Sequence, residues 1–418
     1  AILAQADLAH QQHHTCHLAF DGCSTTATSS GMKVLIATLL PLARACSYVE
    51  VAFPAASEGS SGSAYAIART MELSNIGGMV SYTIEAVPAN ASGGKYAFVA
   101  PFNVFHLPPS PQKVALEGMN EVGFTASALA LEESVYEDEQ ASLSEPDAGK
   151  PTVLYEDVVR QLLMNCDSVQ AALDFLASVH VVRGGGYAKL LFRKEGLHWA
   201  LTDSSGRSVV VEYLQGKRVV SENAPRVMTN DPNLEWQWRN LNTHVNLSPH
   251  FPTENNFLEV DVDHGVGRVP RAVGHGWNLH GLPGDSSPPS RFVRLFYLRG
   301  YAMRAAAPTD SSEAIVLGTA LLNNVFIPFG TVAPEPSPSL DRPEFTPYGI
   351  IKIPAERKLL VRGYRNTQWR QIDLAKLDLT KAQAWPLEDG SLGIADITSQ
   401  GSALAVVGSA GEEAAAIV

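Results

Sequence analysis

The sequence predicts an α+β fold built on antiparallel sheet, and three observations carry that expectation. The hydrophobic pattern switches repeatedly between a period of two and a period of 3.6. Several strand-like runs follow one another without an intervening helix, which suits antiparallel pairing better than a doubly wound parallel sheet. No linker-like break separates residue 46 from residue 385, so one large domain is expected although the length of 418 residues allows two.

Residues 1–31 differ from the rest. His10, His13, His14, Cys16 and His17 superficially suggest metal ligands, but the segment reads as a leader or a mis-set start, because Met32 opens a complete signal-like segment. Met32 and Lys33 form a basic start, Val34–Leu42 a short apolar run, and Ala43-Arg44-Ala45 an A-x-A cleavage site. Residues 32–45 are therefore expected to direct export to the periplasm or the exterior and to be removed. Cutting after Ala45 would give the thiol of Cys46 a free α-amino group on the same residue. An α-amino pKa lies near 8 while a lysine amine lies near 10, so that amine can serve as a built-in base.

Strand-like runs follow at Tyr65–Glu72, Gly123–Leu131, His198–Thr202, Ser208–Tyr213 and Lys358–Tyr364. Helix-like runs occupy Glu156–Cys166, Val169–Val179, Asn233–Val245, Ser290–Ala306 and Ser312–Asn324, the second with Asp167 or Ser168 as its N-cap. Glu137–Lys150 and Ala333–Arg342 read as surface insertions, Gly184–Gly186 as a flexible turn, and 400–418 as an Ala/Gly-rich tail. The single domain is thus bounded at 46–399.

The net charge of −12 argues against nucleic acid or an anionic membrane as a partner. No apolar run reaches the roughly 18 to 20 residues that span a bilayer. Of four cysteines only Cys46 and Cys166 would survive cleavage, leaving no disulfide framework. Cys166 sits in a helical apolar pattern and reads as a buried structural thiol. Cys46 is the one that needs explaining.

There is no G-x-S-x-G, H-E-x-x-H, Walker A or paired C-x-x-C. Four other segments stand out: Ala68-Arg69-Thr70-Met71-Glu72, Glu117–Phe124, Val227-Met228-Thr229-Asn230-Asp231-Pro232, and Gly281-Leu282-Pro283-Gly284-Asp285 followed by Ser290-Arg291-Phe292. Singly, each has a structural explanation: N-D-P and L-P-G-D are turn sequences, Glu117–Phe124 a polar turn entering a strand, and Arg69 with Glu72 a surface pair.

In this order, after a processable cysteine, they resemble the choloylglycine hydrolase and penicillin V acylase family of N-terminal-nucleophile cysteine amidases. The resemblance runs from Cys46 to about Leu377. It includes Leu197-His198-Trp199, Val210-Val211-Glu212-Tyr213, Leu321–Asn324, Glu344–Tyr348 and Tyr364-Arg365-Asn366. It implies a four-layer αββα sandwich and hydrolysis of a linear, non-peptide amide through an acyl-thioester on Cys46. It further implies that Arg69 stands close to the sulfur and favours thiolate. Glu72, where the family usually has Asp, would orient the amine, and Asn230 would give a side-chain N–H to the oxyanion hole. The backbone N–H of Ala130, where relatives carry Asn or Tyr, would be the second oxyanion donor, and Arg291 would balance charge. Neither metal nor organic cofactor is implied. The expected partner is a small N-acyl amide, with penicillin V and N-acyl homoserine lactones favoured over conjugated bile salts, and a homotetramer is compatible with the family.

Three other readings compete: a lipoprotein cysteine at Cys46, a degenerate family member that only binds, and an N-acylethanolamine or ceramide-type amidase. The first would acylate the amine the chemistry needs. The second is at odds with Cys46, Arg69, Asn230 and Arg291 all being present, and the third lacks M-T-N-x-P and G-L-P-G-D.

Overall fold

The protein was analysed as a computed structural model, which describes residues 45–55, 63–74, 80–106, 110–137, 149–183, 196–250, 257–262, 265–270, 278–333, 343–388 and 390–395. The leader, the apolar run of the signal-like segment, the Gly184–Gly186 turn, most of both insertions and the tail from 396 lie outside the described residues.

Nineteen strands are present among the described residues. In chain order they are β1 Ser47–Pro54, β2 Ser63–Ser74, β3 Val80–Val87, β4 Phe98–Phe105, β5 Gln112–Ala115, β6 Glu117–Asn120, β7 Thr125–Leu131, β8 Thr152–Leu154, β9 His180–Val182 and β10 Gly196–Thr202. There follow β11 Ser208–Leu214, β12 Lys217–Glu222, β13 Val227–Met228, β14 Phe257–Val262, β15 Gly265–Pro270, β16 Glu344–Ile353, β17 Lys358–Gly363, β18 Arg370–Asp373 and β19 Gln383–Pro386. The helices are α1 Ala89–Ser92, α2 Val158–Asn165, α3 Val169–Ser178, α4 Leu234–Asn240, α5 Pro288–Ala305 and α6 Ser311–Asn323.

Two antiparallel sheets hold the core. One has the order β13-β1-β2-β16-β17-β18, the other β12-β11-β10-β7-β6-β4-β3-β19 with β5 beside β4. Helices α5 and α6 pack on the first sheet, α2 and α3 on the second, giving a four-layer αββα sandwich. β4, β7 and β10 are buried along their whole length, because the sheet containing them is covered on both faces. That explains why a continuous apolar run such as Phe98–Phe105 carries no alternation to read.

The expected runs fall on these elements with local corrections. Ser168 is the N-cap of α3, its hydroxyl accepting from Ala171 N at 3.2 Å. Glu117–Phe124 is less turn than expected: Glu117–Asn120 is strand, and the chain reverses at Gly123, whose φ of +85° favours glycine. The Asn233–Val245 helix divides into α4 and a 3₁₀ turn at Leu241–His244. Beyond α4, Asn242 Nδ2 donates to Arg239 O and Thr243 Oγ1 to Asn240 O, so polar side chains compete for the carbonyls an α-helix would use. Among the described residues no helix is long and apolar enough to cross a membrane.

Candidate active site

Cys46 stands one residue before β1, and the strand registers gather its neighbours. β1 pairs with β2 so that Ser47 faces Thr70 and Tyr48 faces Arg69. On its other side β1 pairs with β13, Tyr48 opposite Met228. Extending both ladders by two residues sets Cys46 between Met71 and Asn230. The alternation of a strand then turns Cys46 inward with Arg69 and Met71, while Ser47, Thr70 and Glu72 face the helix layer.

The thiol is buried, with Cys46 only 2% exposed. Arg69 Nη2 lies 3.7 Å from Sγ and donates to Ala128 O at 2.6 Å, and Met71 Sδ is 3.9 Å from Sγ. Burial pushes the thiol pKa up; Arg69 and Arg291 pull it down, Glu72 raises it, and the Glu72 backbone N–H lowers it. The cation stands where the sequence led one to expect it, yet desolvation outweighs it while Ala45 is still attached.

Asn230 Oδ1 accepts from Cys46 N at 2.6 Å and from Arg291 Nη2 at 2.8 Å, while its Nδ2 donates to Ala130 O at 2.9 Å. Two donors at one atom fix which end of the amide is oxygen. The second Nδ2 hydrogen remains for another acceptor. Arg291 braces the same centre from α5, with Nη1 donating to Cys46 O at 2.5 Å and Ser47 Oγ at 2.7 Å, and Nε to Ser286 O at 2.9 Å.

Glu72 lies on the helix side. Its Oε1 accepts from Thr346 Oγ1 at 2.7 Å, and burial raises its carboxyl pKa to about 7 against the opposing pull of Arg291. The nitrogen of Cys46 is thus held by Asn230 here, the residue expected at the oxyanion, rather than by Glu72. Ala130 comes from the opposite sheet. Ala128 N donates to Leu116 O on the β6 side at 2.7 Å, so strand alternation aims the N–H and C=O of Ala130 the same way, past the end of β6.

Local sequence explains why these groups hold still. In the G-L-P-G-D segment, Asp285 accepts from Ser287 N at 2.9 Å and Ser290 Oγ at 2.6 Å, fixing the start of α5 and with it Arg291. Those hydroxyl and backbone hydrogen bonds hold the Asp285 carboxyl down to about 2. Behind Asn230, His198 Nε2 donates to Thr229 O at 2.9 Å and His198 Nδ1 meets Glu212 Oε1 at 3.0 Å. Glu212 Oε1 also accepts from Leu234 N at 3.0 Å, tying the start of α4 to the same carboxylate.

Sequence reasoning did not assign Glu117, Ser127 or Lys352. They form a fully buried cluster behind Arg69: Glu117 Oε2 lies 3.5 Å from Arg69 Nη1 and 3.1 Å from Lys352 Nζ. Ser127 Oγ donates to Glu117 at 2.9 Å and accepts from Lys352 at 2.7 Å. A signal for Lys352 existed: it is a lone cation inside the apolar run Ile350-Ile351-Lys352-Ile353, and such a lysine is rarely buried unless paired.

Residues 93–391 match the model of the choloylglycine hydrolase family of linear amide C–N hydrolases. The chain belongs to that family. It is a C–N hydrolase of linear amides, and the matched span contains Ala130, Asn230 and Arg291, while Cys46, Arg69 and Glu72 precede it. It is 29% identical to a bile salt hydrolase/transferase of Clostridium perfringens over 268 residues, 63% of this chain and 73% of that one. It is 25% identical to a penicillin V acylase of Pectobacterium atrosepticum over 230 residues, 52% of each. Two crystal structures share the fold. A variant of conjugated bile acid hydrolase from Clostridium perfringens superposes with a TM-score of 0.62 at 23% identity, over 81% of this chain and 96% of that one. Penicillin V acylase from Agrobacterium tumefaciens does so with a TM-score of 0.57 at 21% identity, over 84% and 93%.

Proposed function

We propose that this hydrolase cleaves an N-acyl amide with Cys46 as nucleophile, after removal of residues 1–45 frees its α-amino group. Sγ attacks the amide carbonyl and the α-amine takes the thiol proton, passing it to the leaving amine. The same amine then activates the water that hydrolyses the thioester. Asn230 Oδ1 orients that amine, its second Nδ2 hydrogen and Ala130 N–H face the developing oxyanion, and Arg69 offsets the thiolate. Arg291 holds Cys46 and Asn230 in register. Export through the signal-like segment belongs to the same reading.

The observation that carries it is the 2.6 Å contact between Cys46 N and Asn230 Oδ1, residues 184 apart in sequence, inside a buried cluster that also holds Arg69 and Arg291. A cavity of about 790 Å³ lies nearby, walled by Tyr82, Phe329, Phe345 and Tyr364. Its wall residue Tyr82 packs edge-on against Tyr348, 5.6 Å between centroids, and Tyr348 faces Met71 in the β2–β16 register. An aromatic wall suits an apolar acyl group. With methyl-bearing Ala130 in place of Asn, this favours penicillin V or N-acyl homoserine lactones.

The second reading is conjugated bile-salt hydrolysis, favoured by the 29% identity to the Clostridium perfringens enzyme. Amine release from penicillin V, a bile-salt conjugate and long-chain acyl homoserine lactones separates the two. Mass spectrometry should read Cys46 as the N-terminus, and Cys46→Ala should abolish turnover. Retained turnover in that variant refutes the mechanism.

A further inference from the structure

The charged and polar groups around Cys46 and behind Arg69 come from five elements, and the charges of this set do not cancel. β2 supplies Arg69 and Glu72, β6 supplies Glu117, β16 supplies Lys352 and the hydroxyl of Tyr348, β7 supplies the neutral Ser127, and α5 supplies Arg291. All are buried. Among these groups three cations stand against two carboxylates, while beyond Arg291 the charges of Arg294 and Glu344 act on it in opposite senses. Glu50, farther along β1, is matched by Arg226 at 2.6 Å and leaves this count unchanged.

Without Lys352, Glu117 would neutralise Arg69. With Lys352 bonded to the same Oε2, the carboxylate is shared, and Ser127 locks the sharing by bonding both partners.

We infer that Lys352 is a positioning charge for the nucleophile: by engaging Glu117 it leaves the guanidinium of Arg69 less compensated, so that the field at Sγ favours the thiolate of Cys46. This rests on reading Cys46 as the nucleophile. Removing one charge from the cluster behind Arg69, in a medium of effective dielectric about 20, changes thiol ionisation on the order of tenfold. Burial pushes the Lys352 ammonium down and Glu117 pulls it back up, so its charge depends on that carboxylate.

The test follows the rate of Cys46 alkylation by iodoacetamide against pH, read on the Cys46 peptide, in purified protein whose N-terminus has been verified. Amide turnover is measured in parallel. Burial lifts the Cys166 thiol to about 12, so that cysteine alkylates slowly, and peptide mapping keeps it separate. Lys352→Met should move the profile up by about one unit and slow alkylation at neutral pH about tenfold. The double variant Lys352→Met/Glu117→Gln restores one uncompensated guanidinium, and its profile should return to that of the parent. A role in packing alone predicts the double variant to be no better than the single one.

An unmoved profile in Lys352→Met, or a double variant as slow as the single, overturns the inference. If Lys352→Met does not fold, the double variant decides alone, because a raised profile there is incompatible with charge counting. Profiles that move as stated in a protein that cleaves no amide overturn the functional reading and leave the charge relation standing. Turnover with an unmoved profile does the reverse.

Discussion

Two buried clusters lie four residues apart along the chain, at Cys46 just before β1 and at Glu50 within it, and are built to opposite specifications. At Glu50 every need is met. Tyr48, Thr202 and Ser208 hydroxyls donate to Oε1 at 2.6, 2.9 and 2.5 Å, and Arg226 donates to Oε2 at 2.6 Å. At Cys46 the groups are left wanting: Arg69 Nε, Glu117 Oε1 and Tyr348 Oη have no hydrogen-bond partner among the described residues. A buried polar group without a partner costs free energy, so a satisfied cluster reads as structure and an unsatisfied one as capacity reserved for a reaction. The contrast teaches that burial of charge does not distinguish scaffold from site in this fold. Between these two clusters, the pairing of the charges does.

Three substitutions break or sharpen that contrast. The largest loss of stability should come from Glu50→Ala, which strands Arg226 and three hydroxyls. We expect about 3 to 5 kcal/mol off the unfolding free energy in urea titration, with turnover per folded molecule unchanged. Next, Asn230→Ala should lower kcat by about 100- to 1,000-fold. Its midpoint of unfolding should move less than that of Glu50→Ala, because the lost contacts serve the reacting centre.

The smallest effect should be seen with Glu72→Gln. Burial raises the Glu72 carboxyl pKa to about 7, above its unfolded value. Its contribution to stability is therefore present below about pH 4.5 and lost as pH rises through about 7, a swing on the order of 3 kcal/mol at most. Thermal melts of the glutamine variant should show a flatter decline across that window. Glu156, also raised to about 7 by burial, keeps part of the slope in both proteins. An unchanged slope would mean that Glu72 titrates in the fold as it does in the unfolded chain.

Much of this architecture was legible before any coordinates. The runs at Tyr65–Glu72, His198–Thr202 and Ser208–Tyr213 alternate or are rich in β-branched residues, and they lie within β2, β10 and β11. The Ser168 cap and the turn chemistry of Leu282-Pro283-Gly284-Asp285 are local codes, and both operate as local codes do. The five residues Cys46, Arg69, Glu72, Asn230 and Arg291 stand in the motifs and come together around Cys46. Less legible was the division of labour among them, since Asn230 rather than Glu72 holds the nitrogen of Cys46. The β4 strand was not among the runs read from the sequence, although β7 and β10, buried just as fully, were.

Local sequence determined the periodicities, the caps, the turns and the residue types that thiol chemistry requires, because each depends on neighbours a few positions away. The tertiary structure alone decided which charge answers which. Lys352 and Glu117 lie 235 residues apart and meet only because two sheets close face to face. Nothing in either segment encodes the other, and charge pairing in a sandwich interior is set by distance through space.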